Sequence, residues 1–418
     1  MSETLLTEVR VAPRARRALV AVFSSTFFVR FAFGITTAVF ASYIIGATQT
    51  VGQGETGVVG LVSAMAPVGE LCTVLLSGAA ADRYGRFPVL FSGIGASAVI
   101  FGLKATIRDP IALGTLNLLF GVASGAILAA SLALVADWSG AEERGFEMGR
   151  FDAMNLFGWV AGFSFGFASL GLVANASLAI DFVIGAVVLT AALLFAAALM
   201  RGIPVRRSQP AYVFSEVLRH VLRRSVLLVT LPWLVIYMLI GTALVFLGRA
   251  ATGVGVSTTL LAAVIAIGGS LLVVTQPFFG RLSDRVGRMR MMSIGATGFV
   301  LLMVFASLVV AFGARVPILI ALGVSVLPAL AYGPAALAAL ADLSVEMSRA
   351  TTMAIYSLTI SAGMALGLAA STGLFSLLGN PGLYVFFGSI AIALAVLTVV
   401  RYRDLARAAR GGVTTQAR

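Results

Sequence analysis

Twelve apolar stretches, each of roughly 20 residues or more, follow one another along this chain with short connections between them. A helix of that length crosses the ~30 Å hydrocarbon core of a bilayer. Inside such a core each backbone amide and carbonyl must bond within its own segment, so the stretches are expected to be helices. The first six spans are expected at Ala18–Ile45, Thr56–Ala81, Pro88–Ile107, Pro110–Val135, Met148–Leu172 and Ser177–Met200. The second six are expected at Ser225–Phe246, Thr258–Leu282, Met291–Phe312, Val316–Ala341, Thr351–Leu378 and Leu383–Val400. With 60% hydrophobic and only 11% charged residues, the chain lacks the charge to cover a soluble domain. The fold class implied is an all-α integral membrane protein of twelve transmembrane helices.

The basic residues orient it. If both termini lie on one side, that side collects 24 of the 29 Lys and Arg. Arg30 falls inside a span, and only Lys104, Arg108, Arg249 and Arg315 fall on the other side. That bias places both termini and the central connection in the cytoplasm, with the chain in the cell (inner) membrane. The organisation expected is a tail over 1–17, a bundle over 18–200, a linker over 201–224, a second bundle over 225–400 and a tail over 401–418. Arg10, Arg14, Arg16 and Arg17 precede an apolar run too long for a cleavable signal. In the linker, Tyr212, Val213, Val217, Leu218, Val221 and Leu222 recur at helical spacing among Arg219, His220, Arg223 and Arg224. This pattern predicts an amphipathic helix lying on the inner leaflet.

Several functions are excluded. The net charge of +12 is scattered over short connections rather than gathered on one face, which argues against a nucleic-acid partner. Cys72 is the only cysteine and His220 the only histidine, and no cluster has metal-ligand spacing. No metal or cofactor is expected. A glycine-rich phosphate loop is missing, so ATP drive is unsupported. No constellation of catalytic side chains argues for an enzyme.

The two halves repeat one another. Gly78, Asp82, Arg83, Gly85 and Arg86 recur 202 residues later as Gly280, Asp284, Arg285, Gly287 and Arg288. Asp137, Arg144, Met148, Gly158 and Gly162 recur 205 residues later as Asp342, Arg349, Met353, Gly363 and Gly367. The chain is therefore expected to form two pseudo-symmetric six-helix bundles, with a ligand site near the bilayer midplane where the repeats meet.

The segments GAAADRYGRF and GRLSDRVGRM, one after the second span of each half, resemble the signature of the major facilitator superfamily. Within that superfamily the chain is most similar to the twelve-helix drug/proton antiporter group. It departs from that group at two places: Asn117 stands where the fourth helix has arginine, and the fifth-helix stretch Gly158-x-x-x-Gly162-Phe163-x-x-Gly166 lacks the motif's proline. The resemblance implies a small-molecule transporter working by alternating access as a monomer. It also implies a cytoplasmic latch in which Asp82 faces the eleventh helix near Thr351 and Asp284 faces the fifth near Phe146. In the same latch Arg86 would pair with Asp137, and Arg288 with Asp342. Helices one, four, seven and ten would line the substrate path, placing Arg30, Asn117, Ser124, Trp233, Tyr237, Thr242 and Tyr332 there. So few hydrogen-bonding groups suit a largely apolar compound better than a polyol.

Arg30 and Glu70 are expected at matching depth, ~19 and ~18 Å from the inner end of their spans. Opposite charges at that depth relieve their cost by pairing, or by protonation of the acid, so they are the candidates for proton coupling. Proton-driven efflux is the function expected. A substrate-specific uptake or metabolite permease is the alternative, and a membrane sensor or assembly partner that does not transport is a rival of another class.

Overall fold

Each apolar stretch closes its own backbone hydrogen bonds in the computed structural model, which describes residues 3–48, 53–138, 144–172, 178–203, 219, 222–253, 255–313, 315–343 and 349–415. Among them there is no strand. The helices are α1 Glu3–Thr48, α2 Gln53–Tyr84, α3 Arg86–Thr106, α4 Pro110–Trp138, α5 Arg144–Leu172 and α6 Ala179–Leu199. There follow α7 Arg224–Gly253, α8 Thr258–Val286, α9 Arg288–Phe312, α10 Val316–Ala329, α11 Tyr332–Leu343, α12 Arg349–Leu378 and α13 Asn380–Thr415. Twelve spans in this series are long and apolar enough to cross a membrane. The ends that carry the Arg-rich connections are called inner below.

α1, α13 and the tenth span depart from the sequence reading. α1 and α13 extend well beyond the apolar stretches, to Glu3 and Thr415, because the Ala, Arg and Leu around them are good helix formers. The expected amphipathic helix in the linker lies outside the described residues apart from Arg219 and residues 222–224. The tenth span is broken into α10 and α11. Pro328 has no amide to give, and the Ala331 amide turns back to the Pro328 carbonyl at 3.1 Å. Two glycines of α9 make room for the break: a Cβ at Gly295 would collide with Tyr332, and one at Gly298 with Ala329.

Contacts divide the chain into two units. The first is Met1–Phe214 with Ala243–Val273, and the second is Ser215–Thr242 with Val274–Arg418. In the first, Gly158, Gly162 and Gly166 form one face of α5 and lie against the carbonyls of Phe27, Phe31 and Ile35 on α1. The four-residue spacing on both helices lets two backbones touch along their length. The outer ends of the seventh and eighth spans join this unit, with Ala251, Leu261 and Ala262 packed on Phe163 and Phe167 of α5. In the second unit, Gly363 and Gly367 of α12 lie against the carbonyls of Leu234 and Met238 on α7. The repeat read from the motifs is thus also a repeat of packing. It makes Arg30, whose Cβ crowds Gly158, the counterpart of Tyr237, whose Cβ crowds Gly363.

Candidate functional site

The repeated motif builds a tight turn at the inner end of each unit. Gly85 (φ 100°) separates α2 from α3, and Gly287 (φ 99°) separates α8 from α9. With ψ near 148° and 130°, both sit in a region that is essentially closed to residues with a Cβ. Gly85→Ala is expected to lower stability by about 1–3 kcal/mol through strain alone. A thermal melt of the purified protein in detergent should show this as a lowered midpoint, and an unchanged midpoint would refute the account.

After the first turn, the Arg86 guanidinium meets Asp82 at 3.2 Å and Asp137, on α4, at 3.0 Å. Arg288 meets Asp284 at 2.7 Å, but that carboxylate is 60% exposed whereas Asp82 is 13% exposed. The first-unit cluster is therefore less screened by solvent than the second. Arg83 and Arg285 are exposed, and Arg83 lies over the Tyr84 ring. The expected partners on Thr351, Phe146 and Asp342 have side chains outside the described residues. A Cβ at Gly78 or Gly280 would meet no described atom within 4 Å.

Deeper in the first unit, Arg30, Glu70 and Asp181 are each held by a neutral polar side chain. Arg30 donates to Asn155 Oδ1 at 2.6 Å, lies over the rings of Phe33 and Trp159, and acts electrostatically on Asp152. Ser124 donates to Glu70 Oε2 at 3.2 Å across α4 and α2. Ser169 donates to both carboxylate oxygens of the fully buried Asp181, at 2.9 and 3.0 Å. Asn155 and Asp152 belong to one turn of α5, a helix whose glycine face dominated the sequence reading.

Lys104, counted from the sequence with the cations of the other side, is 2% exposed. Its ammonium donates to Asn117 Oδ1 at 2.7 Å and lies 4.8–5.5 Å from the ring centres of Phe40, Phe101 and Phe120. Asn117 in turn donates to the Val62 carbonyl of α2 at 2.8 Å. The fourth helix thus lacks a cation at position 117, and the third supplies one in contact with it.

The second unit gathers aromatic side chains instead. Trp233 lies 5.1 Å from Tyr356, 6.4 Å from Tyr237 and 6.5 Å from Tyr332, and both Trp233 and Tyr332 belong to the packed core. Arg401, placed by sequence at the start of a tail, is fully buried and acts electrostatically on Tyr332. Thr242 donates across α7 and α12 to the Gly367 carbonyl at 3.1 Å and neighbours Ser371 at 3.0 Å. Of the residues expected on the path, all but the half-buried Tyr237 are buried. Among the described residues no group of His, Cys, Asp and Glu could hold a metal ion.

Known proteins share this architecture. A nucleoside transporter, NupG, matches 92% of this chain and 99% of its own at a TM-score of 0.70 and 15% identity. The human organic anion transporter MFSD10 (TETRAN) matches 92% of this chain and 99% of its own at 0.62 and 17%. The peptide transporter POT matches 93% of this chain and 94% of its own at 0.69 and 14%. At such identities the likeness speaks for the fold alone. No curated relative matches the sequence. The sequence itself matches the Major Facilitator Superfamily over residues 22–326 and 238–416, which together cover nearly the whole chain. With twelve spans, two glycine-packed repeats and a charged turn at the inner end of each, this chain belongs to the Major Facilitator Superfamily and is a multi-pass membrane transporter, not an enzyme.

Proposed function

We propose that the protein exports a small, largely apolar compound across the cell membrane by alternating access, driven by inward movement of protons. It acts as a monomer with both termini in the cytoplasm. The observation that supports this reading is the division of polar groups between the units. Arg30, Glu70, Lys104, Asp152 and Asp181 all lie in spans of the first. Among the described side chains of the second, the one carboxylate is the exposed Asp284, and the path residues there are Trp233, Tyr237, Thr242 and Tyr332. The first unit carries charge that can follow a proton, with Arg30, Asn117 and Ser124 beside it. The second gathers aromatic side chains and few hydrogen-bonding groups along the expected path, which favours an apolar substrate over a polyol. At the inner end, Arg86 with Asp82 and Asp137 forms the latch of the first unit, and Arg288 with Asp284 its weaker counterpart in the second.

A panel of lipophilic dyes, ethidium among them, tested on cells with and without the protein decides the matter. Expressing cells are expected to hold less dye, and the difference is expected to vanish when the proton gradient is collapsed. A difference that survives collapse refutes proton drive. Dye accumulation in expressing cells reverses the direction.

A further inference from the structure

Of the 29 basic residues in the chain, 28 are arginines and one is a lysine. That lysine is Lys104, enclosed within the first unit. Arginine cannot give up its proton inside a protein, whereas lysine can. A cation needed only for packing at the end of α3 could be an arginine, as it is at every other basic position.

The surroundings of Lys104 make its charge matter. The faces of Phe40, Phe101 and Phe120, from α1, α3 and α4, attract an ammonium and have no such attraction for a neutral amine. Asn117 Oδ1 accepts a hydrogen bond from either form. The charge on one nitrogen therefore decides whether the attraction of three rings, one from each of three helices, is added to the hydrogen bond with Asn117.

Among the described residues no carboxylate cancels that charge, and Lys104 forms no ion pair. Four titratable groups on the surrounding elements are otherwise engaged. Tyr43 of α1 donates to the Lys104 carbonyl, and to that of Ile107 at 2.9 Å, with Arg108 stacked over its ring at 4.6 Å. Glu70 of α2 accepts from Ser124, and Asp181 of α6 accepts from Ser169. Asp109, before α4, accepts from the Ala112 amide at 2.7 Å. Lys104 stands two residues before the end of α3 at Thr106, a rise of ~3 Å, so water at the outer end of the unit is close.

We propose that Lys104 is a proton-exchanging group of the transport cycle. One N–H bond of the ammonium breaks, its electron pair stays on nitrogen, and the proton passes to a water molecule at the outer end. The neutral amine stays on Asn117, released from the three rings, and the reverse step restores the cation. This inference deepens the proton-coupled reading above and rests on it.

A lysine that is unique in the chain can be observed without a substrate. Full-length protein labelled with [13Cε]lysine and reconstituted in lipid vesicles is expected to give one resonance, which Lys104→Arg removes. The resonance is expected to shift when the pH of the outer or the inner compartment is changed while the protein stays folded. A resonance that responds to neither compartment overturns the proposal, whatever the substrate proves to be. With ethidium as the transported probe, Lys104→Arg is expected to exchange dye downhill and to lose accumulation against a gradient. Accumulation at the wild-type level would make Lys104 a packing cation only. Failure of wild-type vesicles to move any dye, with a resonance that still follows pH, counts against the export reading and leaves the proton exchange standing.

Discussion

Glu70→Gln is expected to reduce gradient-driven transport to the background of empty vesicles while downhill exchange continues near the wild-type rate. Glu70 lies 14 residues before the inner end of α2 at Tyr84, ~21 Å along the helix, close to the bilayer midplane. An ionised carboxylate there costs several kcal/mol unless it is paired or protonated. Its hydrogen bond from Ser124 survives the substitution, because the glutamine oxygen accepts from the same hydroxyl. The shape of the α2–α4 contact is therefore kept and only the exchangeable proton is lost. Transport of a dye by reconstituted protein, with and without an imposed pH gradient, separates the two rates. If Glu70→Gln accumulates dye as the wild type does, Glu70 is structural and coupling passes to Asp152, Asp181 or Lys104.

The largest loss of stability is expected from Gly121→Val. A Cβ at Gly121 would overlap the Ala66 carbonyl and stand 2.9 Å from the Glu70 amide, so α2 and α4 would have to separate. Gly69 meets the Leu118 carbonyl on the same interface, which leaves no slack to absorb the shift. Overpacking of this kind costs about 3 kcal/mol or more, and here it also moves Glu70 and Asn117. Little monodisperse protein is expected after detergent extraction. Gly78→Ala is the control: with no described atom within 4 Å of the new methyl, the melting midpoint should stay within about 0.5 kcal/mol of the wild type or rise slightly. Equal damage from both substitutions would refute the packing argument.

The contrast between these two glycines marks the boundary between what is legible in a linear sequence and what is not. The span count, the helical class and the duplication were all readable. They rest on local apolar length and on recurring residues at near-constant offset, and neither needs a third dimension. The need for Gly85 and Gly287 was visible in the motif, although the backbone angle that demands them was not. Which glycines bear helix contacts was hidden, because a close approach depends on the crossing of two distant segments. Gly121 lies against the Ala66 carbonyl of α2, whereas a Cβ at Gly78 would meet no described atom, and no spacing along the chain tells the two apart.

Charge follows the same rule. Sequence depth set Arg30 and Glu70 level with one another, but depth does not name the neutral groups that hold each of them. The fold gives Arg30 to Asn155 and Asp152 on α5, and gives Glu70 to Ser124 on α4. The sequence counts Lys104 with the cations of the other side and says nothing of its surroundings. Its being the only lysine was the one available signal, and its meaning emerges only where α1, α3 and α4 close three rings around it. Hydropathy along the chain thus determined that this protein spans a membrane twelve times in two related halves. The partners of its buried charges were decided by tertiary packing, since burying a charge is tolerable only where another helix supplies the group that satisfies it.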